Sequence, residues 1–125
     1  MSPRRPILMV IDCDPSSLRA IERMLRPTCL VIELSDARAA LARIDAGEQV
    51  DGILCDLDLR EMSGSEFYRA LYQRDARLAS RTVFMTAMDA PPPAVGNPIL
   101  AKPFVPGALR TVVDGLFTAV AAAPS

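Results

Sequence analysis

Two short apolar runs, each ending abruptly in carboxylates, constrain this chain more than any other feature. Ile7 to Ile11 is unbroken and gives way to Asp12-Cys13-Asp14-Pro15, while Ile53-Leu54-Cys55 gives way to Asp56-Leu57-Asp58 and a polar stretch closed by Gly64. An apolar run of this length without alternation suits a strand buried on both faces of a parallel sheet. Both acidic corners then fall at the carboxyl end of a strand, the edge where open α/β sheets bind ligands. Taken singly, each acid has a plain structural use as a turn residue or helix cap. Convergence of several on one edge does not.

The segments between these runs carry helical spacing. Asp14 can cap a helix with Pro15 at its first position, Leu18, Ile21 and Leu25 on one face, and Pro27 as its stop. Cys29 to Leu34 reads as a second strand; Ser35 or Asp36 then caps a helix bearing Ala37, Ala40, Leu41 and Ile44, closed by Gly47. After Gly64 one helix carries Phe67, Ala70, Leu71 and Leu78 inward. Thr82 to Thr86 is a fourth strand ending in a hydroxyl, and Ile99 to Ala101 a short fifth ending at Lys102-Pro103. From Pro106 a last helix presents Leu109, Val112, Val113, Leu116, Phe117 and Val120. Between the fourth and fifth strands, four prolines and a Gly96-Asn97 pair within residues 87–98 oppose a regular helix, so a loop is expected. Strands alternating with helices imply right-handed crossovers and a doubly wound α/β sheet of five parallel strands. Its carboxyl edge gathers Asp12, Cys13, Asp14, Asp56, Asp58, Thr86 and Lys102 from four strands.

Composition narrows the function classes. The 125 residues suit one domain, 1–125, with a core that needs no staples. With 14 basic and 15 acidic residues, direct nucleic-acid binding is not indicated. No apolar run approaches the roughly 18 residues of a membrane span, and the start lacks a signal-peptide cleavage pattern, so a soluble cytoplasmic protein is expected. Three cysteines without metal-ligand or CxxC spacing argue against a disulfide framework.

In these residues the chain resembles the receiver domain of two-component response regulators over essentially its whole length. That family has its phosphoacceptor at the end of the third strand and a Gly eight positions later, as in Asp56 to Gly64; a Thr or Ser thirty residues beyond, as in Thr86; and a Lys-Pro-Phe, as in Lys102-Pro103-Phe104. The resemblance implies a flavodoxin-like sheet in the order 2-1-3-4-5; the sixteen residues from Thr86 to Lys102 are several short of the family's usual span, so the fourth helix is expected to be missing or replaced by the Pro-rich loop. It implies that Asp56 takes a phosphoryl group from a histidine kinase or histidine phosphotransfer protein and then switches contacts with an output protein or domain. Lys102, on a cis peptide, and Thr86 would bind the phosphate, and the domain would be regulatory and not an enzyme. Magnesium would be held by Asp12, Asp56 and the backbone carbonyl of Asp58.

Besides that shortened span, this sequence departs from the family pattern in three places. Where the family places a second acid after Asp12, this chain has Cys13, a soft ligand poorly matched to magnesium, so weak magnesium binding is expected. Asp14 is a candidate substitute, though capping is its simpler role. Arg60 stands where the family often has Pro, and Ile99 where many relatives carry an aromatic that swings inward. Two alternatives follow: a pseudo-receiver that binds partners without phosphorylation, favoured by Cys13, and a haloacid-dehalogenase-type phosphatase built on Asp12-Cys13-Asp14. The latter needs a later acid pair, for which only Asp114 is available after Lys102.

Overall fold

The computed structural model describes residues 5–87, 97–103 and 105–122, with the side chains of Ala87 and residues 118–122 excepted. Its five strands are β1 (Ile7–Ile11), β2 (Leu30–Leu34), β3 (Gly52–Asp56), β4 (Thr82–Ala87) and β5 (Ile99–Lys102). They form one parallel sheet in the order β2-β1-β3-β4-β5. The helices are α1 (Pro15–Leu25), α2 (Ala37–Asp45), α3 (Gly64–Arg74), α4 (Ala76–Ser80) and α5 (Pro106–Ala122).

Strand periodicity sorts the core into two layers. Successive strand side chains point to opposite faces. Met9, Ile11, Ile53, Cys55 and Phe84 therefore pack under α2, α3 and α4, against Ala40, Leu41, Phe67, Leu71 and Leu78. Leu8, Val10, Leu54, Val83 and Met85 pack on the other face, under Leu18, Ile21 and Leu25 of α1 and Leu109 and Val113 of α5. This two-sided cover explains why β1 and β3 read as unbroken apolar runs. Leu18, Ile21 and Leu25 face inward as their spacing predicts, and Asp14 caps α1 with Pro15 in its first turn. Asp36, of the two candidates, caps α2, and Gly47 follows it with a positive φ of 84°.

The structure corrects one helix. The single helix expected after Gly64 is two, α3 and α4, because Asp75 acts at both ends of the break. Its backbone N–H donates to the Leu71 carbonyl, ending α3, while its side chain accepts from Leu78 N and starts α4. Leu78 is still buried, but from the second helix. Cys29 also belongs to the preceding turn and not to β2: its N–H donates to Leu25 O at 3.0 Å. The Pro-rich loop expected over residues 87–98 falls mainly on residues 88–96, outside the described residues, as does the Val120 side chain. Where the chain returns, Asn97 donates from Nδ2 to the carbonyls of Ala79 (2.8 Å) and Thr82 (3.0 Å), which ties the entry of β5 to the start of β4.

Chain order creates the site. After β1 the sheet grows outward to β2, then returns past β1 to β3 and continues the other way. Loops leaving β1 and β3 diverge at that reversal and leave a crevice at their carboxyl ends. Ile11 pairs with Cys55, so Asp12 and Asp56 are the next residues on either side of it.

Candidate functional site

Asp12 and Asp56 are almost fully buried, at 1% and 7% exposure, and one cation serves both. Lys102 Nζ lies 2.6 Å from Asp12 Oδ2 and 3.3 Å from Asp56 Oδ2. The lysine reaches them from β5, passing the end of β4, and the Lys102–Pro103 peptide is cis. Two buried carboxylates cost much solvation unless paired, and a single ammonium leaves the corner with excess negative charge. Burial alone would push the Lys102 ammonium toward neutrality. The hydrogen bond to Asp12 and the charge of Asp56 outweigh it, so Lys102 titrates above the ordinary lysine range. A group raised in this way contributes fully at neutral pH and loses its contribution only as pH rises into alkali.

The remaining carboxylate oxygens are held by backbone amides. Asp12 Oδ1 accepts from Asp14 N and Asp56 Oδ1 from Asp58 N, both at 2.9 Å. Each acid thus has one oxygen fixed by its own turn and one facing the lysine. Thr86 is half-buried on β4, one residue beyond the Met85 that pairs with Asp56, so its place beside the acid is set by sheet register. Asp58 itself is exposed, and its amide, not its carboxylate, is what the structure brings to Asp56. Among the described residues, no buried polar side-chain atom lacks a partner.

Asp14 points elsewhere. Its carboxylate accepts from Ser16 N (3.0 Å), Ser16 Oγ (2.9 Å) and Ser17 Oγ (3.3 Å), and these bonds hold it below the usual carboxylate range. Among the described residues, Asp12, Cys13 and Asp56 are grouped closely enough to share a metal. Asp14→Asn should keep a capping oxygen and lose the charge at the α1 N-terminus. A depressed pKa means stability present above the ordinary carboxylate value and lost as pH falls through the folded one. Thermal melts across pH should therefore show the variant below wild type at neutral pH and the gap closing in strong acid.

The loop after Asp56 closes tightly. Gly64 N donates to Leu57 O at 3.1 Å, and Leu57 N to Met85 O at 2.9 Å. Ser63 and Glu66 form a reciprocal capping box at the start of α3. Its Ser-x-x-Glu pattern is legible in the sequence as Ser63 and Glu66. Cys13 is half-buried and borders a cleft of about 110 Å³, together with Ser35, Asp36, Leu59, Arg60 and Met62. The other two thiols are buried: desolvation pushes Cys29 up to about 11 and raises Cys55 as well. Asp114, the later acid of the phosphatase alternative, sits exposed on α5 and faces Cys29, at the amino end of the sheet and away from Asp12.

An acid pair and a lysine at the switch point of a doubly wound parallel sheet define a class of small α/β domains. A family model of the response regulator receiver domain matches residues 8–114, and the chain belongs to that family. Among solved structures, the chain is similar to the receiver domain of an HD domain-containing protein from Pseudomonas fluorescens, with 20% identity, TM-score 0.82, and 96% and 100% of the two chains covered. A chemotaxis response regulator of Vibrio cholerae is similar at 23% identity and TM-score 0.79, with 90% and 99% covered. A two-component response regulator with a GGDEF domain is similar at 23% identity and TM-score 0.84, over 94% of this chain and 51% of that one. No curated protein matches.

Receiver domains work in two-component signalling; as a family they are regulatory and not enzymatic, and they interact with histidine kinases or phosphotransfer proteins and with output domains. No described helix is long and apolar enough to cross a membrane. Members of the family bind magnesium at acidic residues. Here the three-residue corner offers two carboxylates and a thiol. Magnesium demands near-octahedral oxygen ligands and dehydrates reluctantly, so this donor set does not fit it.

Proposed function

We propose that this chain is a phosphorylatable receiver, one domain over residues 1–125, acting in the cytoplasm, with Asp56 as the acceptor. One observation carries this reading. A buried carboxylate stands at the end of β3 with one oxygen fixed by the Asp58 amide at 2.9 Å and the other beside the Lys102 ammonium at 3.3 Å. A carboxylate oxygen of Asp56 attacks the phosphorus of a phosphohistidine on a kinase or phosphotransfer protein; the O–P bond forms as the P–N bond breaks, and the imidazole leaves with the electron pair. Charge accumulates on the transferring oxygens, and fixed cations at that point lower the barrier. Lys102 supplies one, and Asp12 holds it in place at 2.6 Å. Thr86 donates its hydroxyl to a phosphate oxygen and draws the end of β4 toward the site, which passes the signal to an output protein or domain.

Intact-mass measurement after incubation with a small phosphodonor and a divalent ion tests this. A gain of one phosphate is expected. No gain under any ion would favour the second reading, a pseudo-receiver that binds partners in one state, whose support is Cys13 in place of a carboxylate.

Magnesium should bind weakly, and Cys13→Asp should strengthen it by adding a hard, charged oxygen beside Asp12 and Asp56. Loss of an indirect partner of a metal ligand alone changes affinity by roughly 10- to 100-fold, so a direct ligand should give at least about tenfold. Three clustered carboxylates repel one another without the ion, so stability without magnesium should fall while magnesium-bound stability rises. Thermal melts with and without magnesium read both signs. Equal magnesium-induced shifts would mean that another residue already supplies the ligand.

A further inference from the structure

We infer that the corner formed by Asp12, Cys13 and Asp56 selects a thiophilic divalent ion of the zinc class over magnesium. The inference rests on the receiver reading for the place of the ion and changes its chemistry. One ligand atom from each of the three residues lies within 4.8 Å of the others. Zinc binds tetrahedrally, with sulfur at roughly 2.3 Å and carboxylate oxygen at roughly 2.0–2.2 Å, so neighbouring ligand atoms stand roughly 3.3–3.7 Å apart. Side-chain rotations that close the widest of these spacings by about 1 Å therefore bring all three onto a single ion. Asp14, the residue that could have restored an all-oxygen set, is occupied by Ser16 and Ser17.

Competition with Lys102 sharpens the preference. The ammonium already holds Asp12 Oδ2 at 2.6 Å and Asp56 Oδ2 at 3.3 Å, and an incoming ion must share or displace those contacts. Magnesium brings nothing that the ammonium lacks except charge, and it must shed tightly held water. A softer ion gains a sulfur bond for which the ammonium has no counterpart. Cys13 also borders the cleft lined by Ser35, Asp36, Leu59, Arg60 and Met62, so the same residue adjoins both the acid pair and that cleft. As the ion binds, the thiol proton passes to solvent and the metal–sulfur bond takes its place.

The test is titration of the full chain with Co2+, Zn2+ and Mg2+ as separate metal salts. Co2+ should give a near-ultraviolet thiolate-to-cobalt band in wild type and none in Cys13→Ser, a variant in which the buried Cys29 and Cys55 remain as internal controls. Zn2+ affinity should fall at least about tenfold in Cys13→Ser, and Cys13→Asp should move the preference toward Mg2+. Zinc exceeds magnesium at many sites, so the cobalt band and the loss in Cys13→Ser decide the matter. Cobalt binding without the band, Zn2+ affinity unchanged in a folded Cys13→Ser, or no binding of either ion would overturn the inference. Phosphate uptake is read separately by mass. Uptake without the band sinks only the metal assignment, whereas a band without uptake under any ion sinks only the receiver reading.

Discussion

Asp56→Asn should bring phosphoryl uptake to the detection limit while leaving the fold intact. The substitution removes the nucleophile and almost nothing else, because an amide has the shape of a carboxylate. Its cost is local and has a definite sign. Asp56 accepts from two donors, the Asp58 amide at 2.9 Å and Lys102 Nζ at 3.3 Å, and an asparagine can accept from only one side. Its NH2 then meets a donor, and a buried group left without its partner costs about 1–3 kcal/mol. Relief of repulsion between Asp12 and Asp56 offsets part of that, and Lys102 keeps its shorter contact to Asp12 at 2.6 Å. Intact mass after phosphodonor treatment, with circular dichroism as the folding control, measures both effects. Uptake at the wild-type rate in the variant would remove Asp56 as the acceptor.

The strands were legible because burial on both faces leaves a strong mark: β1 and β3 have almost no polar residue until the acids that end them. Caps were legible for the same local reason, since Asp14 and Asp36 act within two residues of themselves. The gathering of Asp12, Asp56 and Lys102 on one sheet edge followed from strand–helix alternation and strand order from family resemblance, but no local pattern records that residues 46 and 90 positions apart share a hydrogen-bonding center. The break at Asp75 was less visible. A helical stripe through Leu71 and Leu78 continues across it, and an Asp inside such a stripe reads equally as a solvated side chain. Asn97 was hidden by its company: beside Gly96 and Pro98 it reads as a loop former, yet its two bonds to Ala79 and Thr82 depend on tertiary placement. Cys13 was legible as a departure from the family pattern and capping as the simpler role of Asp14, whose bonds to Ser16 and Ser17 now show that role taken up.

Gly64→Ala should be destabilising and should slow phosphoryl uptake, although it adds one methyl group. The added Cβ would stand 2.6 Å from Leu57 Cδ2 and 2.9 Å from Leu57 Cα, with Asp56 O at 3.3 Å. A leucine methyl can rotate away; a backbone Cα cannot. Neither side of the contact is loose, since Leu57 is held by Met85 O at 2.9 Å and the start of α3 by the Ser63–Glu66 capping box. Overpacking of this kind costs about 1–3 kcal/mol, and urea unfolding should show the loss. The strain falls on the residue following Asp56, so the carboxylate moves with it. Misplacement by about 1 Å can cost roughly a hundredfold in rate, and uptake should fall toward that extent. Gly115→Ala provides the contrast, because a Cβ there meets nothing within 4 Å. In the interior of α5 that change should stabilise by about 0.5–1 kcal/mol and leave uptake unaltered. Equal stability of Gly64→Ala and wild type would show that the loop yields more readily than its hydrogen bonds indicate, and that Gly64 does not fix the position of Asp56.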